Sequence, residues 1–176
     1  MSKVAMSLIK ATLPLRFAWL FAALCYSSQG VCLPTDSQQP IYIDSDTASY
    51  DEKSGISIYS GKVVYTQGSL VVHSDVMTFY ITNGEIVKIV VTGKPVTFKQ
   101  TPGVGKEDIN GHSLIGEYYP PTAKLMFIKE AVVWQGGNKS SSDLIVYDTK
   151  NSVIKAGDTA TSSKRVHTIF QPKAKK

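Results

Sequence analysis

Three histidines and the Ser-Asp pairs at 74–75 and 142–143 are the residues of this chain that could most readily take part in chemistry. His73, His112 and His167 lie far apart in the sequence, and none has a Cys, His or carboxylate at the spacing of metal ligands. The spacing therefore argues against a metal site, and no cofactor is expected.

The acidic residues are scattered along the chain, and Asp75 and Asp143 each follow a serine. A glycosidase needs two carboxylates about 5 to 10 Å apart across a cleft, and the sequence leaves such a spatial pair open. The simpler interpretation is that each Ser-Asp pair precedes a strand and satisfies backbone groups of a turn. Because the chain also lacks a Gly-x-Ser-x-Gly elbow and a glycine-rich phosphate loop, an enzyme is not expected.

The Ser-Asp pairs belong to a pattern that occurs twice. The first copy has β-branched and aromatic runs over 61–68 and 74–80, and the second has similar runs over 132–136 and 142–147, offset by roughly 68 residues. A strand-turn-strand unit cannot bury its apolar face alone and gains by stacking on another. The repeat therefore predicts one elongated β structure and not two separate domains.

Apolar and polar residues alternate from Ile41 almost to the end of the chain, and no stretch after residue 30 has a trustworthy helical period. Breaks between the runs carry turn residues, including Ser54-Gly55, Asn83-Gly84 and Gly93-Lys94-Pro95. Short, regular segments of this kind indicate an all-β sandwich, barrel or jelly roll.

The amino-terminal residues predict a secretory signal. Lys3, Lys10 and Arg16 are its only charges, and the apolar run Phe17 to Tyr26 is about half the ~20 residues of a membrane-spanning helix. Cleavage after Gly30 or Cys32 leaves at most one cysteine, so no internal disulfide is expected. The predicted organisation is a cleaved signal peptide over 1–30, a flexible amino terminus over 31–40, one β domain over 41–172 and a basic tail over 173–176.

The formal net charge of +5 comes from the two ends of the chain. Without the signal and the tail, 13 Lys and Arg face 14 Asp and Glu, and Arg165 is the only arginine of this body. Nucleic-acid binding depends on clustered cations that meet phosphates. The sequence therefore argues against a nucleic-acid partner.

An ordered set of motifs carries a resemblance to a known family. The set consists of Gln39 to Asp46, Ser60 to Val63, Thr66 to Gly68, Gly93 to Phe98, and Gly111-His112. Together these resemble the OstA-like family of periplasmic lipopolysaccharide transport proteins over about 38 to 172. The chain departs from the family's Gly-Asn-Val at Gly61-Lys62-Val63, and 129–131 has no glycine at the equivalent place.

The resemblance implies a twisted, partly open β-jelly roll of many short antiparallel strands, with two repeats around an apolar groove. It implies a periplasmic bridge that holds the acyl chains of lipopolysaccharide in the groove and conveys the lipid to the outer membrane. The implied partners are an LptC-like inner-membrane protein, the amino-terminal domain of an LptD-like outer-membrane protein, and further copies of the chain in a head-to-tail homo-oligomer.

Candidate lipid-binding residues follow from the alternation and from the resemblance. Ile41, Ile43, Phe98 and Tyr118 match family positions that face the groove. The full predicted set is Ile41, Ile43, Val63, Tyr65, Phe79, Ile89, Phe98, Tyr118 and Phe127. In any β sandwich these residues would also point inward, so each is either a lipid contact or core.

Two alternatives remain open from the sequence. One is an LptC-like member of the family that keeps its amino-terminal helix. The other is a carbohydrate-binding jelly roll, although only Trp134 would remain for stacking on sugars once the signal is removed.

Overall fold

Ten antiparallel strands and two short 3-10 helices make up the computed structural model, which describes residues 36–103, 105–148, 151, 153–157 and 165–172. The helices are Asp36–Gln38 and Pro120–Thr122. The strands are β1 (Ile41–Asp44), β2 (Thr47–Asp51), β3 (Ile56–Gln67), β4 (Leu70–Thr82), β5 (Glu85–Gln100), β6 (Ile109–Tyr119), β7 (Lys124–Gln135), β8 (Asn138–Asp148), β9 (Val153–Ala156) and β10 (His167–Ile169). No helix within the described ranges is long and apolar enough to cross a membrane.

The strands form one sheet in the order β1-β3-β4-β5-β6-β7-β8-β10. β2 also pairs with β3, and β9 also pairs with β8. Consequently β1 and β2 together form one edge of the sheet, and β9 and β10 together form the other. The sheet does not close on itself, which confirms the open, all-β class predicted from the sequence.

A line of β-bulges crosses the middle of the sheet. The pairing register shifts at or beside Gly61-Lys62, Ser74-Asp75, 93–95, 113–114 and Lys129-Glu130. Bulges bend a strand and increase its twist, so the line divides the sheet into two leaves. Leaf A contains 47–51, 56–60, 76–82, 85–92, 115–119, 124–128, 144–148 and 153–156; leaf B contains 41–44, 63–67, 70–74, 96–100, 109–113, 131–135, 138–142 and 167–169.

The internal repeat is exact in register. Adding 68 to both numbers of the pair Ile41↔Gln67 gives the pair Ile109↔Gln135, and every partner of β3 in β1, β2 and β4 converts in this way to a partner of β7. β6 is therefore the counterpart of β1 and β2, and β9 and β10 are the counterpart of β5. The predicted repeat is confirmed.

Several predicted turns lie inside strands. Gly93-Lys94-Pro95 falls within β5, where the interrupted pairing accommodates a proline that cannot donate a ladder hydrogen bond. The Ser-Asp pairs were expected to precede strands. They lie instead in the middle of β4 and β8, at the bulges. The central strands are accordingly 11 to 16 residues long, longer than the short segments that the sequence predicted.

The missing glycine in the second repeat does not change the backbone. Lys129 and Glu130 adopt φ angles of 62° and 54°, in the left-handed region also occupied by Gly61 and Lys62 at 83° and 47°. Both bulges therefore keep the same conformation.

Asp36 and Gln39 accept hydrogen bonds from side chains or backbone of the sheet and its turns, and the flexibility predicted for 31–40 stays a prediction. The predicted signal peptide, residues 31–35 and the tail over 173–176 lie outside the described residues.

Candidate functional site

The candidate site is the inner face of the folded sheet, where the two leaves meet. Phe98 of leaf B stacks on Phe127 of leaf A, with ring centroids 4.5 Å apart and an angle of 18° between the ring planes. Tyr65 of leaf B lies in the same buried cluster as Met77 and Phe79 of leaf A. The apolar faces of the leaves therefore cover each other.

All nine predicted lipid-binding residues point to this inner face, because cross-strand partners share a face of the sheet. In leaf B, Ile43, Tyr65, Val72 and Phe98 follow one another across neighbouring strands. In leaf A, Phe79, Ile89 and Tyr118 do the same. The apolar surface thus runs across the strands and reaches the edge of the sheet at β1.

Burial divides the nine residues into two groups. Val63, Tyr65, Phe79, Ile89 and Phe127 are buried against other side chains of the protein. The others are partly or largely exposed: Ile41, Ile43, Phe98 and Tyr118.

The inner face opens towards the edge of the sheet. Val63, beside the bulge line, is 0% exposed, whereas Ile41 on the edge strand is 40% exposed. Ile41 and Ile43 are therefore accessible from solvent, whereas Phe79 and Ile89 are covered by other side chains of the protein.

Gly111 of β6 makes room for the ring of Phe98. Gly111 is the cross-strand partner of Phe98 and stands where the first repeat has Ile43. A Cβ at Gly111 would overlap the Phe98 ring and would lie 2.7 Å from the carbonyl oxygen of Val132. The absence of a side chain at this position lets Phe98 extend to Phe127 in the opposite leaf.

Tyr65 contributes a polar atom to this apolar region. Its hydroxyl donates to Oε1 of Gln67 at 2.7 Å. Burial, with a smaller contribution from the neighbouring Tyr118, raises the pKa of Tyr65 to about 12. The phenol is therefore neutral over the physiological pH range and adds no charge to the inner face.

Asp36 holds the segment before β1 against the end of leaf B at Ser69 and Gln100. Its carboxylate accepts hydrogen bonds from the backbone N–H of Ser69 at 2.9 Å, the Ser69 hydroxyl at 2.7 Å and the Gln100 amide at 2.9 Å. Burial alone would raise the pKa of Asp36, but these hydrogen bonds outweigh it and lower the pKa below its ordinary value. The segment before β1 is thus anchored to the β3-β4 turn and to the end of β5.

Two lysines of β5, Lys88 and Lys99, are paired with acidic residues of the protein. Lys88 lies 3.1 Å from Glu117, and the Tyr119 hydroxyl donates to the same carboxylate at 2.6 Å. Hydrogen bonding with Tyr119, together with Glu117, raises the pKa of Lys88. Lys99 pairs with Asp108 at 2.8 Å. These cations are not arranged as a clamp for phosphate.

The three histidines lie in one transverse row on the outer face of leaf B. The row runs from His73 through Thr97 to His112 and, three strands further, to His167. One strand separates His73 from His112, and two strands separate His112 from His167. The described part of the chain contains no group of three or more His, Cys, Asp or Glu that could hold a metal ion.

Two shallow clefts on the outer face arise from the repeat. One, of about 250 Å³, is lined by Lys62, His73 and Asp75, and the other, of about 270 Å³, by Glu130, Ser141 and Asp143 at positions 68 higher. The residue type differs at two of these three positions, and the charge is reversed between Lys62 and Glu130. The clefts therefore reflect the two equivalent bulges and not a shared ligand chemistry.

Sequence reasoning missed the bulge line, the anchoring by Asp36 and the division of each sheet edge into two strands. The glycine of Gly61-Lys62 was a visible signal in the sequence, but a glycine next to a polar residue marks a turn as often as a bulge. The contact between Asp36 and Ser69 spans 33 residues and has no local signal.

Comparisons with known proteins agree with this architecture. Residues 42–153 match the family model described as "LptA/(LptD N-terminal domain) LPS transport protein". The chain is 37% identical over 171 residues to the lipopolysaccharide export system protein LptH of Pseudomonas aeruginosa, covering 93% of this chain and 96% of the relative. It is 30% identical over 139 residues to the lipopolysaccharide export system protein LptA of Escherichia coli K12, covering 78% and 74%.

A solved structure gives the same result. The crystal structure of LptH from Pseudomonas aeruginosa, described as the LptA homologous periplasmic component of the lipopolysaccharide transport device, superposes with a TM-score of 0.71 at 32% identity. The match covers 79% of this chain and all of that one. The sequence motifs, the repeated and bulged sheet and these matches together show that the chain belongs to the LptA/LptD amino-terminal domain family of lipopolysaccharide transport proteins.

Proposed function

We propose that this protein binds lipopolysaccharide in the periplasm and conveys it from the inner to the outer membrane, with the acyl chains held between the two leaves. The observation that carries the proposal is the apolar inner face, which crosses neighbouring strands and opens at the β1 edge. The names of the relatives, which describe components of lipopolysaccharide export, support the same assignment.

The binding energy in this proposal comes from burying acyl chains. Each methylene removed from water contributes about 0.8 kcal/mol, so partial cover of several chains would hold the lipid. Lipid contacts at Phe79 or Ile89 would replace existing side-chain contacts. The net free energy of binding is therefore smaller than the number of buried methylenes alone would give. A modest net affinity suits a protein that must pass its cargo on.

The charged residues are consistent with transfer and not with tight capture. Bidentate arginine is the strongest phosphate ligand among side chains, and Arg165 is the only arginine after the predicted signal. Lys88 and Lys99 already have carboxylate partners. Phosphates of the lipid would therefore stay largely in solvent, and the protein would act as a conduit without chemistry of its own.

The two open edges would link copies of the chain head to tail. Exposed strand edges pair readily with other strands, and here the β1-β2 edge differs from the β9-β10 edge. A contact between unlike surfaces does not close and generates an open rod. We expect an LptC-like inner-membrane protein at one end of such a rod and the amino-terminal domain of an LptD-like outer-membrane protein at the other.

Binding measurements test the conduit. Lipopolysaccharide should bind the purified protein, and its delipidated polysaccharide should not compete. Equal binding of the polysaccharide would favour the carbohydrate-binding alternative. That alternative has little structural support at Trp134, whose indole contacts His112 on the outer face with ring centroids 6.0 Å apart.

Amino-terminal sequencing of the protein recovered from the periplasm tests the LptC-like alternative. A bridge protein should begin near residue 31 or 33. A chain that retains its first residues and stays with the inner membrane would indicate the LptC-like arrangement.

A further inference from the structure

Exposed apolar side chains concentrate on the two edges of the sheet. Ten large hydrophobic residues are exposed in the described part of the chain, and eight of them lie in or beside the edge strands. Those eight are Ile41, Tyr42, Tyr50, Val153, Ile154, Val166, Ile169 and Phe170. Contiguous exposed apolar surface marks interaction sites, so both edges have the composition of an interface.

The protein contains its own template for joining these edges. β6 is the counterpart of β1 and β2, and its register with β7 repeats theirs with β3 residue for residue. β9 and β10 occupy the place beside β8 that β5 occupies beside β4. Inside the chain, β5 pairs with β6. If two copies met edge to edge, β9 and β10 of one copy would stand in the place of β5, and β1 and β2 of the next copy would stand in the place of β6.

The register of β10 follows from this template. His167 lies opposite Ser141, the repeat counterpart of His73, and His73 lies opposite Thr97. His167 is therefore equivalent to Thr97, whose partner in β6 is His112, the counterpart of Asp44. The same steps place Thr168 opposite Ile43 and Ile169 opposite Tyr42 of the next copy.

The register of β9 follows in the same way. Ile154 lies opposite Tyr147, the counterpart of Phe79, so Ile154 is equivalent to Ile89. Ile89 pairs with Tyr118, the counterpart of Tyr50. Ile154 would thus face Tyr50 of the next copy, and Ala156 would face Ala48.

We propose that copies of this chain join by continuing the 68-residue repeat, with His167 directly opposite Asp44, Thr168 opposite Ile43 and Ile169 opposite Tyr42 of the next copy. The proposal rests on the end-to-end assembly proposed above and specifies its register. The inner faces of successive copies then continue without interruption, because Ile43 and Thr168 both lie on the inner face.

The resulting pairs are chemically complementary. Ile169 with Tyr42 and Ile154 with Tyr50 each cover two exposed apolar side chains, and His167 with Asp44 places an imidazole beside a carboxylate. Cross-strand aromatic-aliphatic pairs stabilise antiparallel sheets, and an imidazole N–H can donate a hydrogen bond to a carboxylate. A shift of two residues would instead put Ile169 beside the Asp44 carboxylate.

Disulfide trapping reads the register directly. Cys25 and Cys32 are the only cysteines, and both are replaced by serine in the full chain. Two matched variants carry Asp44→Cys with His167→Cys, and Ile43→Cys with Thr168→Cys. Because hydrogen-bonded and non-hydrogen-bonded pairs alternate along antiparallel strands, these adjacent pairs sample both geometries. The shifted control carries Asp44→Cys with Ile169→Cys.

We expect oxidation of at least one matched variant to give a ladder of covalent dimers, trimers and longer species, and loss of the ladder in the shifted control. A ladder as strong in the shifted control as in both matched variants, or a ladder in the shifted control alone, would overturn the register. Light scattering of the chain without introduced cysteines separates the register proposed here from the end-to-end assembly proposed above. Rods that form without crosslinks in the matched variants would contradict the register alone. A strict monomer would contradict the assembly itself.

Discussion

Phe98 and Phe127 stack across the two leaves of the sheet, with ring centroids 4.5 Å apart. The contact joins residues from opposite sides of the bulge line, and it lies beside the buried Ala131 and Ile145. It is one of the contacts that hold the two leaves together.

Phe127→Ala should lower the free energy of unfolding by about 3 to 5 kcal/mol, because it leaves a cavity in the buried cluster. Phe98→Ala should cost less, since its ring is partly exposed. Urea unfolding of both single variants and the double variant should give a coupling energy of about 0.5 to 1.5 kcal/mol. A coupling energy of zero would mean that the stack does not hold the leaves together.

Gly111→Ala should destabilise the protein by about 1 to 3 kcal/mol, because the added methyl group overlaps the Phe98 ring. Combining it with Phe98→Leu should recover part of the loss, since the smaller side chain can move away. Thermal unfolding of the two variants measures this rescue. No recovery would show that the cost comes from the Val132 carbonyl contact instead.

The strand pattern could be predicted from the sequence, and the bends in the strands could not. Period-two alternation is local, so it identified the repeat and the inward direction of residues such as Tyr65 and Phe98. Bulges and turns both use left-handed residues, and composition does not distinguish them; Gly93-Lys94-Pro95 was therefore predicted as a break between strands. Whether Phe79 is core or a lipid contact depends on how far the leaves separate, which no local pattern encodes.

Asp36→Ala should lower stability by about 1 to 3 kcal/mol at pH 7, because it removes a charged acceptor from the Ser69 and Gln100 donors. The folded-state pKa of Asp36 is depressed, so its contribution is present above the unfolded pKa of about 3.9 and is lost as the pH falls through the folded pKa. The difference between wild type and variant in urea unfolding should therefore shrink towards low pH.

Asp75→Ala is the matched control for Asp36→Ala, because Asp75 is exposed. This substitution should lower the free energy of unfolding at pH 7 much less than Asp36→Ala does. A stability difference for Asp36→Ala that stayed constant down to pH 2 would contradict the role of its ionised carboxylate.

Ile43→Asp should abolish transport while the protein still folds, because it places a carboxylate on the inner face near the open edge. An unpaired charge in an apolar site costs several kcal/mol unless it becomes protonated. Growth complementation measures transport, circular dichroism checks the fold, and light scattering checks that rods still form. His73→Asp, on the outer face of the same leaf, should complement; normal growth with Ile43→Asp would remove Ile43 from the lipid path.

The most direct measurement of the central claim is capture of lipopolysaccharide in cells by a photo-crosslinking amino acid at single positions. The inner-face positions Ile43 and Phe98 should capture the lipid, and the outer-face positions Tyr42 and His73 should not. Equally efficient capture from all four positions, or capture only from the outer face, would contradict a path between the leaves.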